Sequence, residues 1–355
     1  MVGIPRLRKK GISKRLLKIE KRRRYELKKS TFTKSQNSKK SSNKPHHDST
    51  TLVEVPEIFC IVQNPTGVSN FFKNLDKVAA LSHFLIDYRD VKVIKPDALL
   101  YLLSWMDRRQ KHYETKKKLY ANYKYFPKDK ECRDIIENSG LTKYVQGVKN
   151  QENSDVFKII QGQKAEGKYI KGVIKFVMEK LSLEKSPKVL YNIISECLGN
   201  VAEHAYKPRK LQKTWWLMAK FYDNGQKYVR ITILDDGFGI IDTIKKSLSE
   251  IASRETNFAI KKIAEKIGFR SGKDLGVDDN QLLLSALTRD SLRSSTKSSF
   301  RGKGLPFILD QNESGVIRNL KIVTNRAIFD SEQNHENHNS NFNGTLLVWD
   351  VFKNG

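Results

Sequence analysis

Cysteine is scarce in this sequence, and what there is cannot cross-link it. Cys60, Cys132 and Cys197 are widely spaced and odd in number, so they offer neither a disulfide framework nor the paired spacing of a zinc site. That usage points to a reducing, cytoplasmic setting. No apolar run approaches the roughly 20 residues of a membrane-spanning helix, and the first residues lack the apolar core of a signal peptide. No transmembrane segment is expected. There is no internal repeat and no motif for Ser-His-Asp catalysis. His335 and His338 sit in an Asn-rich run, Asp330 to Asn343, without further ligands nearby, and read as a loop. Negative charge is short too: 39 Asp and Glu face 66 Lys and Arg, a net charge of +27.

Much of that excess lies at one end. Residues 1–50 hold 17 Lys and Arg against three acids, Glu20, Glu26 and Asp48. Within this tail, set at 1–51, Arg6 to Lys29 is suited to a basic helix on an acidic surface, whereas Ser30 to Thr51 is too polar to pack. A nucleic-acid phosphate backbone suits such a segment, because each neutralised phosphate releases counterions. Anionic lipid, simple solubilisation and an organellar address fit the same composition. Lys111 to Lys130 is a second Lys- and Tyr-dense stretch. Base stacking on Tyr113, Tyr120, Tyr123 and Tyr125 is one reading of it, and ordinary packing is the other.

The remainder has the 38% apolar and 10% aromatic content of folded domains. Residues 52–150 alternate as a small α/β domain: a strand over Glu57 to Gln63, an Asn64 to Gly67 turn, a helix from Asn74 to Phe84, a strand from Phe84 to Val93, and a helix opened by Pro96. Leu85 to Trp105, a strand running through a loop into a helix, resembles STAS-like domains. Many of those carry a phosphorylatable Ser or Thr at the loop-helix junction, where this chain has Lys95-Pro96-Asp97. Residues 151–185 are expected as a helical connector, with one or two helices over Val156 to Leu183.

Four elements mark residues 186–355. Ser186-Pro187 is a helix start, and Ile194, Cys197, Leu198, Val201 and Ala205 give that helix an apolar stripe. Glu196, Asn200 and His204 rise four apart along one side, Glu196 and Asn200 opposite the stripe and His204 nearer its edge. Two strands, Trp215 to Tyr222 and Tyr228 to Leu234, flank an Asp-Asn-Gly-Gln turn, and the second ends on Asp235-Asp236-Gly237-Phe238-Gly239. There a carboxylate is followed by glycines that let backbone approach a ligand. Phe300-Arg301-Gly302-Lys303-Gly304 places glycines beside cations, which suits phosphate. Strands at Leu320 to Thr324 and Gly344 to Trp349 close the chain.

In this order and spacing the elements resemble the GHKL family of ATP-binding domains, found in histidine kinases, anti-sigma serine kinases, gyrase-type ATPases and related chaperones. The resemblance implies an α/β, two-layer Bergerat-type fold over about 186–355 that binds ATP and Mg2+. By position it implies that Glu196 is the catalytic glutamate acting on the attacking water and Asn200 the magnesium ligand. Asp235 becomes the acceptor for the adenine amino group, with Gly237 and Gly239 giving room beside the base and Thr345 near its bridging water. Gly302 and Gly304 belong to the lid loop, with Arg301, Lys303 and His204 near the phosphates. Asp236 stands where many relatives have Asn. The stretch Ile241 to Ser299 is long for a simple lid and is expected to carry its own helices, for example Thr256 to Ile267. The implied function is an ATPase or ATP-dependent switch, with a protein partner or homodimer. An anti-sigma type protein serine/threonine kinase and a nucleic-acid-binding regulator are the alternatives. Histidine autophosphorylation is not expected, since no His lies between His112 and His204.

Overall fold

The computed structural model describes residues 51–78, 84–112, 119–120, 122–141, 145–146, 155–204, 214–245, 278–288, 304–333 and 339–353, with backbone alone at 111–112, 119–120, 146 and 200–204. The basic tail up to Thr50, the helix expected over Thr256 to Ile267, Arg301 to Lys303, His335 and His338 lie outside the described residues. The N-terminal elements are β1 (Thr51–Glu54), β2 (Ile58–Phe59), α1 (Pro65–Val78), β3 (Phe84–Asp87), β4 (Val93–Ile94), α2 (Pro96–His112), β5 (Leu119–Tyr120), α3 (Lys130–Asn138) and β6 (Val145–Gln146). After them come β7 (Val156–Gly162), α4 (Gly167–Leu181), α5 (Lys188–His204), β8 (Trp215–Asp223) and β9 (Lys227–Asp235). The chain closes with α6 (Asp279–Leu287), α7 (Gly304–Glu313), β10 (Arg318–Asn325), β11 (Ala327–Asp330) and β12 (Phe342–Phe352).

The fold is mixed α/β around a six-stranded sheet in the order β11-β10-β12-β9-β8-β7, each neighbouring pair antiparallel. Alternation along the strands splits their side chains between two apolar layers. Trp215, Leu217, Ala219, Val229, Ile231, Ile233 and Trp349 pack with apolar residues of α4, α5, α6 and α7. Trp216, Met218, Leu234, Leu346 and Val348 turn to the other side and join the apolar residues of α1, α2 and α3. Residues 51–145 thus share a continuous core with the sheet, and α2 crosses β8 and β9. Among the described residues no helix is long and apolar enough to cross a membrane.

Several local expectations change. Asn64 to Gly67 is a helix start: the Asn64 side chain accepts the Gly67 N–H at 3.1 Å, and Pro65, which has no N–H to lose, opens α1. The strand expected over Glu57 to Gln63 shrinks to Ile58–Phe59. That expected over Phe84 to Val93 breaks at a turn where Asp87 accepts the Arg89 N–H at 3.1 Å. Val156–Gly162, expected within helices, is an edge strand, because its register against Trp215 to Lys220 supplies partners for its backbone. A short apolar run such as Val156 to Ile160 does not distinguish strand from helix by itself. Tyr123 and Tyr125 are packed, Tyr123 against Phe126 at 4.5 Å and Tyr125 under the Arg89 guanidinium at 5.1 Å.

One ion pair braces the sheet. Arg230 and Asp350 face each other in register across β9 and β12, joined by two bonds of 2.7 Å, and Asp350 also accepts Asn319 Nδ2 at 2.8 Å. Asp350 is fully buried. Removing one charge strands the other, so Asp350→Ala is expected to cost about 3–5 kcal/mol in urea unfolding, whereas Arg230→Met with Asp350→Leu recovers most of it. Equal losses in the single and double variants would show that the charges do not act as a pair.

Candidate functional site

The C-terminal ends of β9 and β10 and the N-terminal ends of β8 and β12 lie at one end of the sheet. Asp235 closes β9 there, in register with Trp215 on one side and Thr345 on the other. Its carboxylate is buried, accepts the Gly237 N–H at 2.7 Å, and is also bonded by the Thr345 side chain and backbone. Burial dominates: the Asp235 pKa is pushed up to about 7, against the opposing pull of these hydrogen bonds and with a further push from the Asp236 charge.

Two glycines let the backbone pack closely around this strand end. Gly344 has φ +83°, and a Cβ there would lie 1.9 Å from the Asp235 carbonyl oxygen. Gly239 has φ +81°, and its Cβ would lie 2.2 Å from Asn325 Oδ1. Only glycine meets both demands, positive φ and close backbone approach.

The 236–240 loop is tied to the neighbouring strand end. Thr324 Oγ1 accepts the Ile240 N–H at 2.8 Å and donates to the Gly344 carbonyl at 3.2 Å, while Asn325 Nδ2 donates to the Phe238 carbonyl at 2.9 Å. Asn325 itself adopts φ 53°, a left-handed conformation that Asn tolerates. The chain turns helical from Ile240, and Thr243 Oγ1 donates to the Gly239 carbonyl at 2.7 Å. On the other side, the Asp236 carboxylate is ion-paired with the Arg108 guanidinium from α2.

Thr324, Asn325, Gly344 and Arg108 were not singled out from the sequence. The Thr-Asn pair at the end of Leu320 to Thr324 is a local hint, since Asn often ends a strand in a positive-φ position. Arg108 lies 128 residues from Asp236 and leaves no local signal.

The expected residues fall into three groups. Asp235, Gly237, Gly239 and Thr345 come together at the end of β9 and β12. Glu196 is exposed on α5, opposite the buried Ile193, Ile194, Cys197 and Leu198, and Asn200 and His204 follow it one and two turns along the same backbone. Gly304 is the buried first residue of α7, which packs against α5 and β10. Arg301, Gly302 and Lys303 precede it outside the described residues. Among the described residues no group of three or more His, Cys, Asp or Glu is placed to hold a metal.

No protein-family model matches this chain, and no curated protein is similar to it. What the site can do therefore rests on its own chemistry. A buried carboxyl whose pKa is pushed up to about 7 carries its proton below that pH and its charge above it.

The raised pKa also has a consequence for stability. The folded protein holds the Asp235 proton to about pH 7, whereas an unfolded Asp releases it near pH 3.9. Between those values the folded state binds more protons, so this carboxyl makes stability fall as pH rises, with no further change above the folded pKa. Urea unfolding of the wild type and Asp235→Asn from pH 4 to 8 is expected to show that extra decline only in the wild type. Parallel profiles would contradict it.

Proposed function

We propose that the chain binds Mg-ATP at the β9–β12 end of the sheet as a GHKL-type module, and hydrolyses it or uses it as a conformational switch. The observation that carries this reading is Asp235, a buried carboxylate at a strand end beside the close backbone approach of Gly344 and followed by the glycine loop 237–239. Such a group orients a planar base by accepting its exocyclic N–H, and it stays ionised only while that donor or its own hydrogen bonds offset burial. The order of elements supports the same reading: a glutamate-bearing helix, a hairpin ending on Asp235, and a glycine-opened helix α7 against α5.

In this reading Gly237 leaves room for the base, Gly239 lets the loop pack on Asn325, and Thr345, bonded to Asp235, helps fix the carboxylate. Magnesium in this reading would be bound chiefly through phosphate oxygens. Mg2+ takes few protein ligands and keeps water and phosphate around it, so the single Asn200 amide on α5 suffices without a carboxylate cluster. Bound magnesium would neutralise phosphate charge. Glu196, exposed one turn before Asn200, orients or deprotonates the attacking water, and the first turn of α7 offers backbone N–H groups to phosphate.

Transfer to a protein hydroxyl is the competing outcome at the same site. The run of β3 and β4 into α2, the stretch that resembles STAS-like domains, is the feature that favours it. The test is Mg-ATP binding and phosphate release on the wild type, Asp235→Ala and Glu196→Ala. Asp235→Ala is expected to weaken binding by about 10- to 100-fold, and Glu196→Ala to bind normally without turnover. Acid-stable label from the γ-phosphate on protein, in place of free phosphate, would assign a kinase. No nucleotide binding by the wild type would remove the proposal.

A further inference from the structure

We infer that Arg108 is a positioning residue for the nucleotide site and that, through it, the N-terminal α/β layer sets nucleotide affinity. The inference rests on the nucleotide reading above. Tyr101 and Arg108 lie seven residues apart on α2, two helical turns, and so share a face. That face touches both chain segments that frame Asp235. The Arg108 guanidinium pairs with Asp236, the residue immediately after Asp235. The Tyr101 hydroxyl accepts the Asn343 N–H at 3.0 Å, and its ring meets Phe342 edge-on at 5.5 Å, just before Gly344 and Thr345. Arg108 is steadied over the Tyr101 ring at 5.6 Å, so the two contacts form one clamp.

Charge explains why the clamp matters. Asp236 puts a second carboxylate beside Asp235, and its side chain is only 19% exposed. Without a counter-charge it would repel both the Asp235 carboxylate and an anionic nucleotide. Arg108 offsets part of that repulsion and fixes the loop at the same time, since a guanidinium paired to a carboxylate constrains direction as well as distance. A cavity of about 460 Å³, lined by Lys73, Tyr101, Trp105, Arg108, Arg109 and Asn343 among others, lies beside the contact.

The test is the Kd for Mg-ATP in the full chain, measured by calorimetry, for the wild type, Arg108→Ala, Arg108→Lys, Asp236→Asn and Arg108→Ala with Asp236→Asn. Unfolding midpoints without nucleotide are taken in parallel. Arg108→Ala is expected to weaken binding about tenfold and Arg108→Lys less, because charge is kept and the fork lost. The double variant is expected to bind within about twofold of Asp236→Asn alone, because with no carboxylate at 236 the guanidinium has no charge left to offset. A purely structural role would lower the midpoint in step with affinity and would show no such rescue. If Arg108→Ala does not fold, the same comparison is made with Arg108→Gln. Wild-type affinity in Arg108→Ala, or losses that multiply in the double variant, would overturn the inference and leave the nucleotide reading standing. A wild type that binds no ATP would take both away.

Discussion

The candidate site depends on the antiparallel register of β9 against β12. Eight consecutive residue pairs, from Thr345 opposite Asp235 to Phe352 opposite Tyr228, hold that register. Because side chains alternate faces, a slip by one residue would turn Arg230 and Thr232 into the helix-side core and pull Ile231 and Ile233 out of it. The buried Arg230–Asp350 pair adds an electrostatic penalty to any slip, since each charge would lose its partner inside the protein. The same register brings Gly344 against the Asp235 carbonyl and Thr345 beside its carboxylate. Core packing and site geometry are thus fixed together.

Much of this architecture was legible before the structure. The β8–β9 hairpin follows from two alternating apolar runs around Asp-Asn-Gly, and the exposure of Glu196 follows from the three- and four-residue spacing of Ile194, Cys197 and Leu198. The Asp-x-Gly-x-Gly stretch was legible because carboxylate and glycine are both unusual at the end of an apolar strand. Other features were not. Val156 to Ile160 is too short a run to choose between helix and strand, and its pairing with Trp215 to Lys220, about 60 residues on, decided the matter. Asn64-Pro65-Thr66-Gly67 has the composition of a turn and of a capped helix start alike. The Thr324–Ile240 and Asn325–Phe238 bonds, and the Arg108 pair, join residues over 80 apart and depend on tertiary placement alone.

The N-terminal layer is a structural neighbour of the site, with α2 laid across β8 and β9 and sharing their apolar core. A helix anchored by that much buried surface is a stiff base for the two polar contacts it makes at the end of the sheet. Asp236 fits this arrangement: a second carboxylate next to Asp235 is met by the Arg108 guanidinium.

Backbone hydrogen exchange with and without saturating Mg-ATP tests the central claim most directly. Binding at the proposed place is expected to slow exchange in Asp236 to Ile240, in Gly344 to Thr345 and at the start of α7, with α4 unchanged. Exchange that is unaltered by nucleotide, or slowed only around the cavity between α1 and α2, would contradict the assignment of Asp235 as the group that holds the base.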